Sequence, residues 1–429
     1  MAGFESIVSQ NEDVLVAPLD FSVGGSAASY ITSREQATYF STQNLVSPAG
    51  VKIAKFQVGG HGFLDLSSMY FTAQLTENSG TAALQPLTAE AHCLFKRLIV
   101  RVAGTLVESI EMFSVSEEYV RRLLPLEKRM NLAGMFLGAD PVTGTKGYDL
   151  LSRSLGAGKS KRIMFRPMTS GVLSMKKYFP ALLLGAQGLT FELELASADE
   201  ACLATGSQNY ELSDLRILVD HCILTTELQN QYSSLLLSGK SVFLNLDLHE
   251  NTQHFLPGNS AKWSISSARQ FSRLNTLVVI MQQAPGADAE TKQVNNFYLP
   301  KSAQESIESN LVISGERMPL FNNRGISEHW VRFLKGTGIM PSIGTSTSIS
   351  FDGFGGGATA GRAFSIVFDL EKMASHAEHT GHPIDSGGVV TLHVEGVGTQ
   401  ASEYVDRVIL QHSYSGMLEI RDSGCTLYT

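Results

Sequence analysis

The chain has 429 residues, a formal net charge of −8, 43% apolar and 17% charged residues. Ordinary domains hold ~100–200 residues, so two domains of about 200 residues each are expected, and so apolar a composition excludes a disordered chain. The acidic balance, with no Lys- or Arg-rich arm at either end, weighs against strong nucleic-acid binding.

The start, MAGFESIVSQNEDVLVAPLD, has no basic region followed by an apolar run. No later stretch approaches the ~18 consecutive apolar residues of a membrane span, so a soluble protein without a secretion signal is expected. Cys93, Cys202, Cys222 and Cys425 lie far apart with no CxxC pair, which points to reduced, buried thiols rather than a disulfide framework or zinc ribbon.

Residues 1–30 read as an N-terminal arm, and a first sandwich is expected over 31–227. Its early turns are SPAG at 47–50 and VGGHG at 58–62. FSVSEEYVRRLL (113–124) predicts a short helix, with Ser114 and Glu117 at capping-box spacing. FELEL at 191–195 and LRILV at 215–219 alternate strictly, the mark of strands with one buried and one wet face. TELQNQYSSLLLSG (226–239) predicts a second helix, with Leu228, Tyr232 and Leu235 on one face and Gly239 to end it. A linker helix at 228–240 then separates the halves. The second sandwich, 241–429, carries SVFLNLDLH (241–249), VVTLHVE (389–395), RVIL (407–410) and MLEI (417–420), with RDSG (421–424) placed to turn MLEI into CTLY. Gly, Pro, Asn and Ser clusters between the runs favour antiparallel sandwiches over βαβ units. No strong sequence repeat relates the halves.

Three stretches invite a chemical reading. RSLGAGKS (153–160) ends like a phosphate-binding loop, but Arg153 replaces the first glycine and KRIMF afterwards reads as a strand, so a flexible basic loop is expected. DGFGGGATAG (352–361) lacks the strand–turn–helix context of a dinucleotide site and reads as a long flexible surface loop. SHAEHTGHPIDSGG (375–388) spaces His376, His379 and His382 three apart; a strand would send neighbours in that series to opposite faces, and Pro383 opposes a helix. A connecting loop with solvated histidines is expected; if it lies at a subunit contact, protonation near pH ~6.5 would add positive charge there. His393 reads as an exposed strand residue. No GxSxG elbow or cysteine nucleophile context occurs, and Glu192 and Glu194 fall on an outer strand face. No catalytic, metal or cofactor-binding residue is therefore assigned, no cofactor is expected, and the chain does not read as an enzyme. The aromatic segments 251–266 and 295–302 suit either core packing or subunit contacts.

FSIVFDLEKMASHAEHTGHPIDSGGVVTLHVEG (364–396) resembles the end of the second jelly roll in the double jelly-roll major capsid proteins of eukaryotic double-stranded DNA viruses, of the Polinton-like virus, virophage and adintovirus type. The segment 241–281 is similar to the opening of that roll. The resemblance implies an all-β chain of two consecutive eight-stranded antiparallel jelly-roll sandwiches with a few short helices. It implies pseudo-hexagonal homotrimers that tile an icosahedral shell in the virion, alongside penton and minor or cement proteins, with no specific nucleic-acid binding. A carbohydrate- or receptor-binding β-sandwich protein, such as a lectin or viral spike, is the alternative; a cupin-like metal enzyme is a third, opposed by histidines gathered in one loop.

Overall fold

The computed structural model describes residues 31–59, 62–141, 150–175, 177–257, 260–284, 292–339, 346–357, 359–371, 381–384, 388–397, 404–421 and 424–429. The first half builds eight principal strands: β1 (Ile31–Phe40), β2 (Ile53–Val58), β3 (Phe63–Glu77), β4 (Phe95–Val102), β5 (Thr105–Ile110), β6 (Ser160–Phe165), β7 (Leu189–Leu195) and β8 (Tyr210–Leu224). They form two antiparallel sheets in the orders β1-β8-β3-β6 and β2-β7-β4-β5. The second half builds β9 (Val242–Phe255), β10 (Lys262–Ser267), β11 (Leu274–Gln282), β12 (Glu308–Ile313), β13 (Glu316–Arg324), β14 (Ile366–Asp369), β15 (Val390–Glu395) and β16 (Arg407–Arg421). Their orders are β9-β16-β11-β14 and β10-β15-β12-β13. Raising each strand number of the first half by eight reproduces the second. Each half is a jelly roll.

Alternation explains the burial. Leu189, Phe191, Leu193 and Leu195 of β7 point inward while Glu192 and Glu194 stay partly wet. Phe71 of β3 meets Phe56 of β2 and Phe191 of β7 edge-on, at centroid distances of 5.6 and 6.0 Å, and so locks one sheet to the other. Burying each such ring stabilises by roughly 2–3 kcal/mol. The hairpin expected at 421–424 is present: Gly424–Tyr428 pairs with the end of β16, Ile420 opposite Cys425.

Four longer helices decorate the rolls: α1 (Phe113–Arg122), α2 (Leu126–Ala133), α3 (Thr226–Leu237) and α4 (Gly325–Gly336). α3 lies where the sequence places it and gives way to Gly239, which takes the left-handed φ of 80° that stops the chain continuing as helix. α1 differs from its expected cap. Its N-cap is Met112 at φ 50°, with no side-chain cap, and Glu117 is buried for another purpose.

The duplication extends to details that composition hides. β4 and β5 turn through Ala103 and Gly104 (φ 46° and 83°); β12 and β13 turn through Ser314 and Gly315 (φ 51° and 89°). Positive φ at both central residues gives the tight two-residue turn that matches strand twist. After each hairpin the chain enters a helix through a left-handed residue, Met112 before α1 and Gly325 at the start of α4. Phe40 at the end of β1 sits under the Arg216 guanidinium at 5.1 Å, and Phe255 at the end of β9 sits under Arg407 at 5.6 Å.

Candidate functional site

Two of the stretches singled out for chemistry, 153–160 and 352–361, are absorbed by structure where they are described. After RSLGAGKS the chain runs directly into β6 as a strand, and the loop is pinned: the Gly158 N–H donates to Glu77 Oε2 at 2.7 Å and the Ser207 hydroxyl to Oε1 at 2.6 Å. Burial pushes the Glu77 carboxyl up, but the hydroxyls of Ser207 and Ser79 and the N–H groups of Gly158 and Ser79 outweigh it and hold it at about 2. A flexible loop was the expectation for DGFGGGATAG as well, and there the structure differs. Asp352–Gly356 forms a tight helical turn with Gly353, Phe354 and Gly355 buried, and Phe354 packs 5.1 Å from Phe333 of α4. Gly355 has φ 143°, and a Cβ there would come within 2.9 Å of both Leu299 and Ile326, so the glycines serve close packing.

His376 and His379 lie outside the described residues. His382 exchanges two 2.9 Å backbone hydrogen bonds with Leu274. His393 is on the outer face of β15 beside the Ser264 hydroxyl, 2.6 Å away. Among the described residues no group of three or more His, Cys, Asp or Glu is placed to hold a metal ion. Glu194 pairs with Arg97 at 2.7 Å and Glu192 with Lys55 at 3.4 Å on the partly exposed face expected. Cys93, Cys202 and Cys222 are buried, and burial pushes the Cys93 thiol up to about 11.

The concentrated chemistry lies instead in the seam between the rolls, centred on α1. The run EEYVRR (117–122) places Glu117 and Glu118 each one turn before Arg121 and Arg122, and all four side chains are buried. Arg121 Nε donates to Glu117 at 3.1 Å, and the other arm of the guanidinium pairs with Glu90. Glu117 also accepts the Thr169 N–H and hydroxyl, each at 2.8 Å. Glu118 gathers Arg122 at 2.7 Å, Arg129 at 3.0 Å and His92 at 3.2 Å. Burial alone would push the Glu118 carboxyl up; Arg129, Arg122 and His92 outweigh it and hold it well below the usual carboxylate range.

These arginines reach across the seam. Arg122 donates to the Arg362 carbonyl at 2.9 Å and lies 4.3 Å over the Phe297 ring, while Arg129 donates to the Ser348 hydroxyl at 3.0 Å. In return the Ser348 N–H donates to the Leu124 carbonyl at 2.9 Å, and Asn295 donates to the Leu87 carbonyl at 3.0 Å. Beside this cluster, the edge strand β5 of the first roll meets the edge strand β9 of the second. The His249 N–H donates to Glu108 at 3.3 Å, and the Asn251 amide donates to the Ser116 hydroxyl at 2.7 Å. Gly171 passes so close to Asp247 that a Cβ would stand 1.9 Å from its carbonyl oxygen. The apolar core is continuous from one roll to the other.

Two of the sheet edges matter below. Among the described residues β1 pairs only with β8 and β13 only with β12. Phe321 and Leu320 of β13 are 80% and 72% exposed, and Val331 of α4 is 48% exposed.

No family model matches the chain, and no curated protein matches it in sequence. Solved structures do. The Faustovirus major capsid protein superimposes with a TM-score of 0.63 at 8% identity, over 96% of this chain and 94% of its own. The quasi-atomic model of the PBCV-1 virus capsid gives 0.60 at 12% identity, over 92% and 97%. The mavirus major capsid protein gives 0.51 at 10% identity, over 97% and 95%. Together with the duplicated strand order, these matches make the fold a double jelly roll.

Proposed function

We propose that the chain is a major capsid protein, a structural rather than catalytic component that self-assembles into pseudo-hexagonal homotrimers. The trimers tile an icosahedral shell around a double-stranded DNA genome, which places the protein in the virion after synthesis in the host cell. The observation that carries this is the fusion of two equivalent rolls through a buried, hydrogen-bonded seam, in a fold shared end to end with capsid proteins. Two rigidly joined rolls per chain give six lobes when three chains associate, a near-hexagonal tile.

Within this role residues 1–30 act as an arm, 31–227 and 241–429 as the two rolls, and 228–240 as their linker. Each subunit interface is expected to bury on the order of 2,000–5,000 Å². A net charge of −8 suits a wall that leaves genome compaction to other proteins, with penton and minor or cement proteins as the further partners. Among the described residues no helix is long and apolar enough to cross a membrane. Placement among the Polinton-like viruses rests on the 364–396 stretch. Negative-stain microscopy of the purified protein tests the role: hexagonal particles of threefold symmetry are expected, and single chains under all salt conditions contradict it.

A further inference from the structure

Among the described residues the two halves of the junction each recur, and neither recurrence meets the other. In the seam, β5 and α1 of the first roll press against the outer edge of β9, the first strand of the second roll. By the duplication, the counterpart of β5–α1 is β13–α4, and the counterpart of β9 is β1. Both counterparts are open among the described residues.

Residues can be matched across the duplication. Counting back four from the left-handed helix entries, Glu108 before Met112 corresponds to Phe321 before Gly325. Counting forward six, Glu118 corresponds to Val331. Counting back from the Phe40–Arg216 and Phe255–Arg407 pairs, whose strands run in uninterrupted register there, His249 corresponds to Arg34 and Asn251 to Gln36. Glu108 and Glu118 are buried in the seam, whereas Phe321 and Val331 stand exposed. Two extra residues lengthen β13 between its turn and its helix relative to β5, and the register breaks where Leu320 and Phe321 protrude. The closed junction uses polar side chains; the open one offers large apolar ones.

Resting on the capsid reading above, we infer that the occupant of the β13–α4 face is β1 of a second copy of this chain. Leu320, Phe321 and Val331 of one subunit cover the Arg34–Gln36 stretch of the next, repeating the seam between chains. Such a head-to-tail contact uses two different surfaces per chain, so repetition closes a ring and leaves neither surface free. Arg34 keeps its Asp65 and Asp220 partners, 2.6 and 2.9 Å away, and offers a guanidinium face to an aromatic ring.

The test uses the full chain, with mass read by sedimentation and folding by circular dichroism. Phe321→Asp combined with Leu320→Asp is expected to raise the concentration at which trimers dissociate by about tenfold or more. Leu237→Asp, at an equally exposed apolar site on α3, is expected to leave it unchanged. In a Gln36→Cys/Phe321→Cys double variant, a short bismaleimide is expected to link chains into a ladder ending at three, which neither single variant gives. Trimers that survive the paired aspartates and yield no ladder overturn this interface while leaving the capsid role intact. A wild-type chain that sediments alone overturns the role itself.

Discussion

The backbone N–H of His249, in the second roll, donates to the buried carboxyl of Glu108, in the first, at 3.3 Å. Burial pushes that carboxyl up to about 7, partly offset by donors from Ser170, Gly171 and His249. Its folded pKa lies above the unfolded value of 4.5, so its contribution is full below pH 4.5 and lost as pH rises through 7. Glu108→Gln removes this dependence. Between pH 4.5 and 8, urea unfolding should show the variant gaining about 3 kcal/mol on the parent. Parallel stability curves for the two proteins would exclude a titrating seam.

His412 should act in the opposite direction. Packed 5.2 Å from the Phe271 ring, it is buried, and burial lowers its pKa from 6.5 to about 4. A depressed folded pKa gives stability that is present above pH 6.5 and lost as pH falls through 4. Replacement by Phe keeps an aromatic ring there and should lessen acid sensitivity by about 3 kcal/mol between pH 7 and 3.5. An unchanged acid limb in chemical denaturation contradicts it.

Arg122 holds Glu118 while reaching Arg362 and Phe297 of the other roll. Arg122→Ala leaves a buried carboxylate short of a partner and should cost about 3–5 kcal/mol. Lysine, without the planar fork, should recover only part of this. A loss below about 1 kcal/mol for Arg122→Ala would show that the cluster does not fasten the rolls.

Gly171→Ala sets a Cβ 1.9 Å from the Asp247 carbonyl oxygen, backbone against backbone. Neither side can yield by turning a side chain, so a loss of more than about 2 kcal/mol is expected in thermal unfolding. Gly59→Ala, where nothing lies within 4 Å, should be close to neutral. Equal effects at both sites would deny the close approach.

The strands were legible because alternation survives in sequences such as FELEL, where one face is buried and the other wet. α3 and its stop at Gly239 were legible for the same local reason. The seam was not. In the sequence EEYVRR shows only a charged run within a short helix, and its burial is decided by Asn295, Phe297, Ser348 and Arg362, more than 170 positions away in the chain. DGFGGG misled because glycine permits both mobile loops and close packing, and only Leu299 and Ile326 decide which. The duplication was hidden because it is carried by backbone conformation: Ala-Gly and Ser-Gly make the same turn, and Met112 and Gly325 the same helix entry. At Glu108 and Phe321 the matched positions carry opposite chemistry, so a residue-by-residue comparison obscures their kinship.

In the proposed role, two rolls fused by the seam make a subunit that closes into threes. Sedimentation equilibrium of the purified 429-residue chain near neutral pH measures this. The expected result is one species of three chain masses across a broad concentration range. A single-chain mass throughout, with the fold intact by circular dichroism, would contradict it.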